Sequence, residues 1–132
     1  MHDTYLTGGI TIHIILGEEN ARELTNKYTL LELDLIRVEP DADVLQAYCV
    51  LEDIPAEDVL RLDEYSRLHQ KLVENFRKRN WQYCENVLEH LKGRWGGSVD
   101  TFYSEIADRV AKYKDQEPGP EWDGTYEIYN RN

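Results

Sequence analysis

The spacing of the apolar residues changes once along this chain, near Ile54, and that change constrains the fold more than any other feature. Before it, apolar and polar residues alternate. Ile10, Ile12 and Ile14 alternate with Thr11 and His13, and the run closes through Ile15 and Leu16 before Gly17. Thr29 to Val38 alternates again, with Leu31, Leu33 and Leu35 on one face and Glu32 and Asp34 on the other. Val44 to Leu51 is a third apolar and β-branched run. This periodicity predicts three strands. Between the last two, Glu39-Pro40-Asp41-Ala42-Asp43 is turn chemistry, because Pro40 fixes its own φ and offers no ladder donor. An antiparallel hairpin follows. Glu18 to Lys27 has Ala21 and Leu24 on one face, acids at its start and Lys27 at its end, which predicts a short helix. The first part is therefore β-α-β-β.

Beyond Ile54 the spacing becomes helical. Pro55 stands near a first turn, with Glu57 and Asp58 after it, and Leu62, Tyr65, Leu68 or His69, Leu72 and Phe76 form one apolar stripe. A single long helix to about Arg79 is predicted, broken by Asn80. A second helix carries Trp81, Cys84, Val87 or Leu88, and Leu91, with Gly93 and Gly96-Gly97 at its exit. A third opens after Ser98, a good cap residue, and carries Val99, Phe102 or Tyr103, Ile106, Val110 and Tyr113. Pro118-Gly119-Pro120 forbids its continuation, and Glu121 to Asn132 reads as an extended segment packed on the body around Tyr126 and Ile128. The expectation is an α+β chain with a seam between 1–53 and 54–132.

Charge and motifs exclude more than they nominate. With 26 acidic residues against 15 basic ones, the net charge is −11, which repels phosphate backbones and anionic lipid. Neither a nucleic-acid partner nor membrane contact by this segment is expected, and no stretch is long and apolar enough to span a bilayer. Cys49 and Cys84 lie in no metal-ligand spacing and read as reduced thiols of a cytoplasmic protein. His2, His13, His69 and His90 form no pair at ligand spacing, and His13 reads as a solvent-facing alternate. The acidic loop Glu39, Asp41 and Asp43 lacks the glycine, the length and the terminal glutamate of a calcium loop, so it reads as a solvated turn. Gly8-Gly9 and Gly96-Gly97 have no phosphate-cradle context, and no Ser-His-Asp or Cys-His arrangement emerges. Trp81, Trp95 and Trp122 read as core rather than stacking platforms. No catalytic, cofactor-binding or metal-ligating residue is nominated.

The first part resembles the C-terminal portion of class III adenylate/guanylate cyclase catalytic domains. The residues that carry the resemblance are Ile10 to Gly17 with Glu18, then Tyr28-Thr29-Leu30-Leu31-Glu32-Leu33-Asp34-Leu35-Ile36-Arg37-Val38, then Val44 to Leu51. In that family an apolar strand ends in Gly-Glu and a short helix, and a strand of the type aromatic-x-x-x-E-L-D-x-x-x-V follows, turns and returns. The second part is similar to the helical tails of bacterial, often membrane-anchored, cyclases. Trp81, Phe102-Tyr103 and the closing Trp122-Asp123-Gly124 carry that similarity. The tail also has the flavour of a tetratricopeptide helix pair.

The resemblance implies a small β-α-β-β piece of a cyclase-type sheet followed by a three-helix, tetratricopeptide-like module. It implies a parent that makes cyclic AMP from ATP in signal transduction, as a dimer using Mg or Mn. The family's two metal-binding aspartates and its Asn and Arg lie upstream of the matching residues. Where the family usually reads Val-Lys-Gly-Lys, this chain has Val38-Glu39-Pro40-Asp41, which reverses the sign of the loop's interaction with phosphate. The chain by itself is therefore expected to be inactive and without a cofactor, a structural or interaction-mediating piece that self-associates as a homo-oligomer through its β portion. The rival reading is a stand-alone helical module that binds a protein partner through residues 54–132.

Overall fold

The structure is a computed structural model that describes residues 13–52 and 54–127. The expected strand residues Ile10 and Ile12, and Ile128 near the end, lie outside the described residues. Strand β1 is His13–Leu16, helix α1 Glu18–Leu24, β2 Thr29–Arg37 and β3 Leu45–Leu51. Gly17 makes the β1–α1 corner at φ 92°, a backbone setting that favours glycine. Then come α2 Ala56–Val59, α3 Leu62–Arg77, α4 Trp81–Leu91, a 3-10 turn Arg94–Gly97, α5 Asp100–Asp115 and β4 Thr125–Glu127. The architecture is α+β, with one mixed sheet in the order β1-β3-β2-β4. β3 runs antiparallel to both β1 and β2, whereas β4 lies parallel to β2.

The β2–β3 hairpin contains a bulge that the alternation does not reveal. Glu32 faces Tyr48 and Leu35 faces Gln46, so β2 spends one more residue than β3 over this interval. The extra residue inverts the phase of β2. Leu31 and Leu33 are buried, then Asp34 and Ile36 are buried, while Leu35 is only half-buried. The expectation that Leu35 shares the core face and Asp34 the outer face is thus corrected from the bulge onward.

Helices α3 and α5 pack on the core face of the sheet, and α4 packs against both of them. α3 contributes Tyr65, His69, Leu72 and Phe76, α4 Trp81, Cys84, Val87, Leu88 and Leu91, and α5 Phe102, Tyr103, Ile106 and Val110. These residues join Leu31, Leu33, Ile36, Ala47, Cys49 and Leu51 in one hydrophobic cluster, which runs without a break across residue 54. Both cysteines are buried and unbridged, and burial pushes each thiol up to about 12, so they behave as small apolar groups.

Two helix boundaries differ from the sequence expectation. The long helix expected from Pro55 is divided at Arg61, whose φ of −123° and ψ of 28° are not helical. Asp58 turns inward there and its Oδ2 accepts the Trp95 N–H at 2.9 Å. Ser98 does not cap α5. The N-cap is Val99, and Asp100 instead accepts the Gly93 N–H at 2.9 Å.

The turn between α3 and α4 fastens the C-terminal segment. Arg79 adopts φ 67°, unusual for a residue with a Cβ, and its guanidinium donates to the carbonyls of Pro118, Gly119 and Trp122 at 3.0, 2.6 and 3.2 Å. The Trp122 ring lies 5.4 Å from Phe76, 5.8 Å from Trp81 and 5.3 Å from Tyr113, with Arg79 over its face at 5.4 Å. Such aromatic and cation–π contacts add to the area the ring buries. Trp122→Ala is expected to destabilise the chain by about 3 kcal/mol, because it empties this cluster and frees β4. Urea unfolding measures it, and a loss below about 1 kcal/mol would show the segment contributes no packing.

Candidate functional site: the bulged strand and the cleft beside it

The bulge in β2 gathers one of the molecule's clusters of buried and part-buried polar groups. Gln46, opposite it, donates to the carbonyls of Leu33 and Asp34 at 3.1 and 3.3 Å. Arg77 of α3 donates to the Leu33 carbonyl and to Gln46 Oε1, both at 3.1 Å. Arg109 of α5 meets the inward Asp34 at 2.8 Å and stacks 4.3 Å from the ring of Tyr126 on β4. Desolvated charges are retained only when paired and hydrogen-bonded, and this pair is both. Gly124 then closes the set. Its φ is 94°, and a Cβ at that position would lie 2.7 Å from Arg77 Cγ. Only a glycine lets the chain enter β4 this close to Arg77.

A second buried chain of hydrogen bonds runs from the 3-10 turn to the sheet. The Trp95 indole N–H donates to Tyr103 Oη at 3.0 Å. The Tyr103 hydroxyl proton is therefore free to point at His69 Nδ1, 2.9 Å away. That leaves His69 Nε2 as the protonated nitrogen, donating to the Glu32 carbonyl at 2.5 Å. The order of donors fixes one neutral tautomer. Burial holds the imidazole down at about 4, against a partial opposing effect of the Glu32 carbonyl, and burial likewise pushes the Tyr103 phenol up.

His69 also forms part of the wall of an open cleft of about 450 Å³ between α1, the first half of β2 and α3. Glu18 and Arg22 stand on one side, Ser66 and Gln70 on the other, and Glu32 and Tyr48 on the sheet. Burial raises the Tyr48 phenol most, and the nearby carboxylates of Glu32 and Glu18 raise it further, with Arg77 opposing. A histidine with both nitrogens already bonded cannot serve there as a base without breaking its own chain.

The residues singled out in the sequence scatter. Glu39, Asp41 and Asp43 are exposed in the hairpin turn, His90 is exposed on α4, and His2 and the His13 side chain lie outside the described residues. His69, rather than Leu68, takes the buried stripe position. Among the described residues no three of His, Cys, Asp or Glu come together to hold a metal ion. No described helix is long and apolar enough to cross a membrane. Sequence reasoning passed over Arg77 and Arg109 altogether. The only signal for them was an Arg on an otherwise apolar-facing helix stripe. No protein-family model, no curated protein and no solved structure matches the chain.

The His69 chain carries a pH signature. The native imidazole stays neutral down to about 4, whereas an unfolded histidine takes a proton near pH ~6.5. Between those values the unfolded chain binds the extra proton. The contribution is therefore complete above pH ~6.5 and is lost as pH falls towards ~4, on the order of 3 kcal/mol in all. Denaturant unfolding of the native chain and His69→Gln across this range is the check. The native chain should lose stability more steeply than the variant, and parallel curves would show that His69 is not held neutral.

Proposed function

We propose that the chain is the closing portion of a class III cyclase-type domain with its helical tail, serving as a non-catalytic structural and interaction piece of a parent that makes cyclic AMP from ATP. One observation carries the reading. The two sequence signatures of the resemblance, Glu32-Leu33-Asp34 and Trp122-Asp123-Gly124, stand about ninety residues apart and meet around Arg77. Arg77 bonds the Leu33 carbonyl while its side chain lies under Gly124, and β4 then adds to β2. That the terminal motif docks on the strand motif supports reading the sheet and the tail as one unit. The exposed carboxylates Glu39 and Asp41 argue against a triphosphate at the hairpin, since like charges repel.

Two measurements test this. Isothermal calorimetry of the purified chain with ATP and manganese should give no binding heat, and micromolar affinity would overturn the non-catalytic role. The genomic sequence ahead of the Met1 codon should continue in frame through an aspartate-bearing strand and an Asn-x-x-x-Arg helix. A stop codon in frame immediately upstream would overturn the cyclase reading.

The homo-oligomer is likewise proposed to form through the β portion. Among the described residues β1 and β4 are the outer strands of the sheet, and a second copy would add at one of them. Light scattering over a range of concentrations should show a dimer or larger closed species. A monomer persisting at high micromolar protein would remove self-association from the role.

A further inference from the structure

We propose that the cleft between α1 and α3 binds a small basic zwitterion, an amino acid with a cationic side chain, and this proposal is independent of the cyclase reading. The observation is a set of polar groups with unspent capacity around one concavity. Glu18 and Arg22 stand four residues apart on α1, both line the cleft, and neither is paired with another charge among the described residues. That is unusual for opposite charges at this helical spacing, which ordinarily favours their contact. Tyr48 and Ser66 line the same space, and neither side chain has a hydrogen-bond partner among the described residues. Glu32 is held only loosely, by Arg77 at 3.9 Å. The cleft volume of about 450 Å³ lies within the ordinary range of small-molecule sites.

Charge selects the ligand class. Two carboxylates and one guanidinium line the space, and Glu32 stands directly across the β2–β3 ladder from Tyr48. A basic amino acid carries the complementary set: one carboxylate for Arg22, and two cations for Glu18 and Glu32. The hydroxyls of Tyr48 and Ser66 accept from or donate to the same groups. His69 is unavailable to the ligand, because its two nitrogens are bonded to Tyr103 and the Glu32 carbonyl, so it serves only as rigid wall. A net negative cleft on a chain of net charge −11 also disfavours acidic competitors.

The test is a titration of the isotope-labelled chain with L-arginine, followed by amide NMR shifts. An open polar site and a ligand of this size give an expected Kd on the order of a millimolar. Saturable shifts should concentrate at Arg22, Tyr48 and Ser66. Glu32→Gln and Arg22→Gln should each weaken binding roughly tenfold, with unchanged circular dichroism showing that both variants fold. N-acetyl-L-argininamide keeps the guanidinium but lacks the other two charges, and it should also bind roughly tenfold more weakly. Equal binding of that blocked compound would mean the cleft takes a basic side chain on a peptide, and it would overturn the amino-acid site. Shifts that stay linear and spread over the acidic surface, or equal shifts with L-glutamate, would overturn it as well.

Discussion

One extra residue in β2 sets the arrangement of nearly everything packed against it. Strand side chains alternate with a period of two, so an unpaired residue turns every later side chain to the opposite face. Here the inversion brings Asp34 and Ile36 into the interior and moves Leu35 towards the surface. An inward carboxylate demands a cation, and Arg109 of α5 supplies it at 2.8 Å. The carbonyls displaced from the regular ladder demand donors, and Gln46 and Arg77 supply them. The positions of α3 and α5 over the sheet are thus tied to hydrogen bonds as well as to apolar area. A buried carboxylate left without Arg109 would cost several kcal/mol, which makes this register of helices on strands far more favourable than its neighbours.

The aromatic residues divide into two groups with different physical roles. Phe76, Trp81, Tyr113 and Trp122 form a cluster of rings in edge and tilted contact, with centroids between 5.3 and 6.3 Å apart. It acts through area and ring geometry, and it seats the segment that leads into β4. Trp95, Tyr103 and His69 instead form a polar chain in which each group satisfies the next. Such a chain contributes specificity: every member is bonded, so any displacement of α3 against α5 leaves a buried donor or acceptor unpaired. The 3-10 turn that presents Trp95 depends on Trp95, Gly96 and Gly97 all at positive φ, and the Asp58 carboxylate holds the Trp95 amide there. Arg94 adds to this corner from above, 4.4 Å over the Tyr65 ring.

The order of elements was legible because it follows from local pattern. Alternation located β2 and β3, the stripe from Tyr65 to Phe76 located α3, and Pro118-Gly119-Pro120 ended α5 close to Asp115. The bulge was not legible. Leu35 and Ile36 are both apolar, so the run Leu33-Asp34-Leu35-Ile36 fits either phase, and Arg109, seventy-five residues on, decides between them. The division of the expected long helix was hidden for the same reason. Asp58 looks like an ordinary first-turn acid until Trp95 and Arg94 claim it. The cleft was equally invisible, because its walls come from α1, two strands and α3, and no short spacing joins Glu18, Tyr48 and Ser66. The absence of a nominated site in the sequence reflects that geometry. The groups with unspent capacity meet only after folding.

The sheet and the helical tail depend on each other for reasons that go beyond shared apolar area. Without the helices, Leu31, Leu33, Ile36, Ala47, Cys49 and Leu51 would face water on a small hairpin, which is marginal by itself. Asp34 would lose Arg109, and the Leu33 carbonyl would lose Arg77. Without the sheet, Arg77 and Arg109 would stand on helix faces that are otherwise apolar, and Gly124 would have no reason for its φ of 94°. The charged groups therefore sit at the contact where each half covers the other. Apolar faces alone tolerate sliding, since Leu against Leu is much the same one turn along. Arg109 against Asp34 and Arg77 under Gly124 do not tolerate it, so the tail has one docked position.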